Sequence, residues 1–95
     1  MLAALSSHEI EREIARLDGW RIQEGKLYRE FLFRDFPSAF GFMASVALIS
    51  ESMNHHPEWF NVYTTVKVWL NSHEVNGIST MDFELARRMN DLCNK

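Results

Sequence analysis

From Phe36 to Ser50 the chain reads FPSAFGFMASVALIS, fifteen consecutive residues without a charge in a sequence of only 95. Asp35 ahead of the run and Pro37 near its beginning are helix-start signals, so the segment is expected to be helical. Phe40, Met43, Ala44 and Ala47 then fall on one side of the helix, and Phe42, Val46, Ile49 and Met53 around another. The run is too short to span a bilayer, which takes roughly 20 residues. A helix lying on one sheet needs a single apolar stripe, so this one is expected to have two apolar neighbours, its own sheet and a second copy of the chain, met through Phe40, Met43 and Ala47 or through the adjacent face at Val46. A chain of this length forms one domain, residues 1–95, with one core and a large exposed surface if it stays monomeric.

The remaining segments alternate in period around that helix. Ser6 followed by Glu9 is a capping-box pattern, and Ile10, Ile14 and Leu17 after it predict a short amphipathic helix closing near Asp18-Gly19. Glu24-Gly25 separates two extended runs in which Leu27, Arg29, Phe31 and Phe33 alternate with Tyr28, Glu30, Leu32 and Arg34, the pattern of a β-hairpin. After the long helix, Trp59, Asn61 and Tyr63 alternate with Phe60 and Val62, Thr64-Thr65 offers a turn, and Val66, Val68 and Leu70 alternate with Lys67 and Trp69. Gly77 breaks the chain again, and Ser79 with Asp82 forms a second capping-box pair before a helix carrying Phe83, Leu85, Ala86, Met89 and Leu92. The order is α-β-β-α-β-β-α, and the expected fold is α+β: a four-stranded antiparallel sheet with three helices packed on one face.

Composition narrows the function. Hydrophobic residues make up 46% and charged residues 24%, far from the composition of a disordered chain. The formal charge of -3 comes from acids and bases scattered along the sequence, with no Lys/Arg cluster to follow a phosphate backbone, which argues against direct nucleic-acid binding. Cys93 is the single cysteine, so no intrachain disulfide can form and a reducing compartment is expected. The N-terminal MLAALSSHEI lacks the basic and apolar regions of a secretion signal, and the protein is expected in the cytoplasm, with the nucleus as a second location.

Histidine is scarce, four in the chain, and two of the four are adjacent in NHHPEWFNVY. His55 and His56 fall between the long helix and the third strand, where Pro57 forbids helical continuation. His73 falls just past the fourth strand. If the third and fourth strands pair as a hairpin, their outer ends are neighbours and three imidazoles share one end of the sheet. Such a cluster has three explanations. It is structural, with the His-Pro step ending a helix; or it is a His₃ metal site, since neutral imidazole is a common zinc ligand; or it performs metal-free acid–base catalysis, which suits a group that titrates near neutrality. Adjacent side chains of an extended segment point to opposite sides, which disfavours one ion shared by His55 and His56 but suits two groups on either side of a bound ring.

Glu51, three residues, His55-His56-Pro57, five residues, Tyr63, nine residues, His73, eight residues and Asp82 form a spaced pattern that resembles the pterin-4a-carbinolamine dehydratases, also known as dimerization cofactors of hepatocyte nuclear factor. The neighbouring AFGFMASVAL and NHHPEWFNVY are similar to the animal members, and the resemblance extends from about Trp20 to Leu85. It implies dehydration of 4a-hydroxytetrahydrobiopterin to quinonoid dihydrobiopterin, a step of tetrahydrobiopterin recycling, with no metal or organic cofactor. On the family's pattern His55 and His73 are the acid–base groups and His56 holds the pterin and assists. The implied substrate pocket adds Asn54, Asn71, Ser72 and Glu74, with Glu51 and Asp82 as supporting carboxylates. Asn54 stands where an aspartate is common in animal members, keeping an acceptor but losing a charge, and LNSHEVNG replaces a Ser-Thr pair before the histidine. The family's second role, coactivation by binding the dimerization domain of a homeodomain transcription factor, uses the long helix that also joins subunits into a dimer or tetramer.

Overall fold

Capping chemistry sets the helix starts in the computed structural model, which describes residues 2–94. Ser6 Oγ accepts from the Glu9 amide at 3.1 Å and Glu9 Oε1 accepts from the Ser6 amide at 2.8 Å, opening α1 (Ser7–Ile14). After α1 come β1 (Arg21–Gln23) and β2 (Lys26–Leu32), joined by Glu24 and Gly25. Both turn residues have positive φ, 55° and 76°, as a two-residue hairpin with right-handed strand twist requires. Asp35 Oδ1 accepts from the Ser38 amide at 2.8 Å and opens α2 (Phe36–Met53), with Pro37 in the first turn where its missing N–H costs nothing. β3 (Glu58–Val62) and β4 (Thr65–Leu70) follow, then a single 3₁₀ turn at His73–Val75 and α3 (Thr80–Cys93).

The four strands form one antiparallel sheet in the order β1-β2-β4-β3. Leu27 opposite Leu70 and Phe31 opposite Val66 put the buried residues of the two central strands on one face. Ala39, Phe42 and Val46 of α2 and Phe83, Leu85, Ala86 and Met89 of α3 close over that face and complete the core. α1 buries no residue fully; its Ile10 and Ile14 pack partly against the core, and Glu13 approaches Arg87 of α3 at 3.8 Å. The opposite face of the sheet is open, with Tyr28 packed on Trp69 and with Leu32, Phe60 and Val62 exposed. The α+β architecture and the α-β-β-α-β-β-α order are those expected from the pattern.

Several local expectations are corrected. α1 ends at Ile14, not near Asp18-Gly19, because the chain tightens into i→i+3 turns from Glu13 to Leu17. The hairpin turn lies at Tyr63-Thr64: Val62 pairs with Thr65, so Thr65 already belongs to β4, while Tyr63 takes φ 53° and Asn61 Nδ2 holds the turn by donating to the Tyr63 and Thr65 carbonyls. Of the two alternative contacts expected with a second subunit, the one through Val46 is closed, because Val46 is fully buried in the domain's own core, while Met43 packs partly against that core. Asn90 of the last helix, which nothing in the sequence pattern marked, is buried: its Oδ1 accepts from Trp20 Nε1 at 2.8 Å and Arg29 Nη1 at 2.6 Å, and its Nδ2 donates to the Asp18 carbonyl at 3.0 Å.

Hydrogen bonds from the Ser38 side chain and from its amide hold the Asp35 carboxyl below the ordinary aspartate range. A lowered folded-state pKa contributes stability that is complete above the unfolded pKa and disappears as pH falls through the folded one. Urea midpoints of the wild type and Asp35→Ala, measured from pH 7 downward, should differ by a constant amount at neutral pH and converge in acid. A gap that persists unchanged into acid would contradict this role of the carboxylate.

Candidate active site

The end of α2 fixes the first two histidines. Asn54 takes the left-handed conformation, φ 51° and ψ 43°, which Asn tolerates better than most residues. With that turn in place the Asn54 amide donates to the Glu51 carbonyl at 3.1 Å and the His55 amide to the Ser50 carbonyl at 3.0 Å. This double bond pattern is a Schellman ending, and it ties the His55 backbone to the last turn of the helix. The third histidine comes from the other end of the β3–β4 hairpin. Ser72 and Gly77 pair across the neck of a short loop, the Ser72 amide donating to the Gly77 carbonyl at 2.7 Å, and His73 opens the 3₁₀ turn between them.

The two segments enclose a recess of about 200 Å³ lined by Asn54, His55, His56, Asn71, Ser72, His73 and Glu74. All seven side chains nominated from the sequence as pterin-binding or catalytic thus meet at one place. A larger groove of about 620 Å³ lies over Phe33, Phe42 and Leu92, but no histidine or carboxylate lines it, so proton-transfer chemistry falls to the smaller recess.

The three imidazoles sit in different surroundings. His55 is buried, and its Nε2 lies 2.5 Å from Asp82 Oδ1, with the Asp82 side chain wholly inaccessible. Asp82 Oδ2 accepts from the Ser79 amide at 2.9 Å and from the Ser72 hydroxyl at 2.9 Å. A carboxylate is an acceptor only, so the third donor to Asp82 is His55 Nε2–H. Among the described residues Ser50 Oγ is the only fully buried, unpartnered side-chain polar atom. His55 Nδ1 has no hydrogen-bond partner among the described residues, and His55 lines the recess. His56 is more than half exposed and meets Glu51 Oε1 at 2.9 Å, both groups being largely in solvent. His73 is 83% exposed and lies 3.8 Å from Glu58 Oε2, while Glu58 Oε1 accepts from Lys26 Nζ at 2.8 Å.

Each imidazole thus has its own carboxylate neighbour. Among the described residues no three His, Cys, Asp or Glu side chains converge in an arrangement that could hold a metal ion. Sequence reading did not single out Glu58 or Ser79 as parts of the site. Glu58 was hidden by its ordinary place beside Pro57, and its partners depend on the β3–β4 register that sets it opposite Trp69. Ser79 was legible only as a helix cap.

Fold and site together define a small α+β protein built around a histidine–carboxylate recess suited to moving protons. The chain belongs to the pterin 4 alpha carbinolamine dehydratase family, whose profile matches residues 3–92. It is 46% identical over 92 residues to a Solibacter usitatus protein named "Putative pterin-4-alpha-carbinolamine dehydratase", covering 97% of both chains. A protein of the same name from Prochlorococcus marinus (strain MIT 9313) is 46% identical over 86 residues, covering 90% of both. The crystal structure of a transcriptional coactivator/pterin dehydratase from Brucella melitensis superposes with a TM-score of 0.92 at 43% identity, over 95% of this chain and 98% of that one.

Burial separates the two supporting carboxylates. Removing Asp82 leaves buried donors unpaired, whereas Glu51 belongs to an exposed pair. Asp82→Ala, which unpairs three buried donors at about 1 kcal/mol or more each, should therefore cost about 3 kcal/mol or more of unfolding free energy, and Glu51→Ala at most about 1 kcal/mol. Equal losses in the two variants, measured by urea denaturation, would contradict the burial contrast.

Proposed function

We propose that this recess dehydrates 4a-hydroxytetrahydrobiopterin to quinonoid dihydrobiopterin by histidine acid–base catalysis, with no metal or organic cofactor. The observation that carries the reading is the meeting of His55, His56 and His73 at one recess, each beside a separate carboxylate. In the reaction the 4a hydroxyl takes a proton and leaves as water, the C4a–O bond breaks, the N5 proton is removed and a C4a=N5 double bond forms. One group must give a proton and another must take one, and no electrons are exchanged with an outside partner. His55, held through Nε2, works through Nδ1, with the Asp82 charge set against the imidazolium that forms when the ring takes a proton. His73, open to solvent, is the second proton-transfer group, and the two exchange roles between stereoisomers of the substrate. His56 holds the pterin, and Asn54, Asn71, Ser72 and Glu74 supply donors and acceptors for its polar edges.

His55→Ala and His73→Ala should each lower the dehydration rate about 10²- to 10⁴-fold, read by stopped flow on chemically generated 4a-hydroxytetrahydropterin after chelator treatment of the protein. Wild-type rates in either variant would remove that residue from the mechanism, and activity that follows a bound metal would favour the metal-site reading.

The long helix supports an assembly. Phe36, Phe40 and Leu48 are exposed on α2, the first two packed side by side with their rings tilted by 45°, and Gly41, Ala44 and Ala47 lie exposed among them. An uncharged apolar face of this kind marks an association surface. Our reading is a symmetric homo-oligomer, a dimer or tetramer, in which Phe40 and Ala47 meet the same helix of another copy in a bundle. The dimerization domain of a homeodomain transcription factor is the second candidate for that face, in keeping with the coactivator description of the Brucella protein. Ala47→Glu should lower the oligomeric mass in light scattering and leave dehydration measurable, because His55, His56 and His73 come from one chain. A wild-type monomer at micromolar concentration would refute the assembly.

A further inference from the structure

The two capping boxes of the chain are built alike and situated differently. In α1 the Ser6–Glu9 box lies at the surface and serves only its own helix. In α3 the box is buried: Ser79 and Asp82 are both inaccessible, and so, nearly, is Ser72. Asp82 Oδ2 accepts from the Ser79 amide, the bond expected of a cap, yet its other oxygen is given to His55. The Ser79 hydroxyl accepts from the Met81 amide at 3.2 Å and lies 2.7 Å from Ser72 Oγ.

The direction of the hydroxyl chain follows from counting protons. Ser72 has one hydroxyl proton, and Asp82 Oδ2, 2.9 Å away, can only accept it. The Ser79–Ser72 bond must then use the Ser79 proton. The order is Ser79 Oγ–H to Ser72 Oγ, Ser72 Oγ–H to Asp82 Oδ2, and His55 Nε2–H to Asp82 Oδ1. With each proton committed, the Ser79 hydroxyl fixes the Ser72 hydroxyl on Asp82 Oδ2, which leaves Oδ1 for His55 Nε2.

We infer that Ser79, which does not line the recess, is a positioning residue for His55: its hydroxyl completes a buried chain through Ser72 and Asp82 that holds the imidazole with Nδ1 toward the substrate. The helix cap of α3 and the orientation of the proton-transfer group are then one structure. The inference rests on the dehydratase reading for its kinetic consequence, but its structural consequence can be read without substrate.

Ser79→Gly tests it, because glycine is tolerated as a helix N-cap and keeps the amide that Asp82 uses, while the hydroxyl is lost. Ser79→Thr restores the hydroxyl, and Ser6→Gly removes the matching hydroxyl from α1 as a control for lost capping. In ¹H–¹⁵N spectra of histidine-labelled protein the His55 Nε2–H resonance should shift and broaden in Ser79→Gly, return in Ser79→Thr and stay in place in Ser6→Gly. In the dehydration assay kcat should fall roughly 3- to 10-fold in Ser79→Gly, the worth of one hydrogen bond, with KM unchanged and with recovery in Ser79→Thr. An unmoved Nε2–H resonance in Ser79→Gly would overturn the inference, as would a loss of kcat that Ser6→Gly reproduces. If the wild type proves inactive on the pterin, the dehydratase reading fails, and the resonance alone still decides whether Ser79 orients His55.

Discussion

The contact between Asp82 and His55 is where the helices and the sheet-end loops depend on one another. A carboxylate with no solvent access loses its hydration, a cost that is offset only when its oxygens are supplied with donors. Here three donors come from three parts of the chain: the imidazole from the end of α2, the Ser72 hydroxyl from the end of β4 and the Ser79 amide from the start of α3. Displacing any of these segments leaves the charge short of a partner. The pair thus requires the ends of α2, β4 and α3 to stay together, and those ends surround the recess.

The rest of the fold can be understood as what brings these ends into register. The antiparallel β3–β4 hairpin returns the chain after Leu70 to the place where Pro57 left it, so His73 comes back beside His55 and His56. The Schellman ending of α2 sets the His55 backbone, and the Ser72–Gly77 pair narrows the loop that carries His73. The core residues of β2 and β4 lie beneath α2 and α3 and keep the two helix ends from sliding. Rigid elements thus carry the buried histidine, while the exposed histidine stands on a short loop.

Much of this was legible in the sequence because local rules act over a few residues. Ser6 with Glu9 and Ser79 with Asp82 mark helix starts through bonds spanning three residues, Asp35 does so through the Ser38 amide with Pro37 in the first turn, and the period-two runs around Phe31 and Val68 show which strand residues face the helices. The convergence of the histidines could be argued because a hairpin has only one way to close. What stayed hidden depended on packing between distant segments. Met43 and Val46 could not be assigned to the domain's own core from helix periodicity, since α2 is apolar nearly all round. Asn90 reads as a surface residue until Trp20, Arg29 and Asp18 are brought to it from up to 72 residues away. Ser79 reads only as a cap, because its neighbour Ser72 is reached through the fold of the loop between them.

A double-mutant cycle across Asp82 and His55 tests most directly whether the carboxylate acts through the imidazole. Dehydration rates would be measured for Asp82→Asn, His55→Ala and the double variant, each shown to be folded at the assay temperature. If Asp82 matters to the reaction by holding His55, its replacement should slow the enzyme while His55 is present and do nothing further once His55 is gone, so that the double variant matches His55→Ala alone. Losses that multiply independently in the double variant would contradict the account, because Asp82 would then serve the reaction by a route that does not pass through His55.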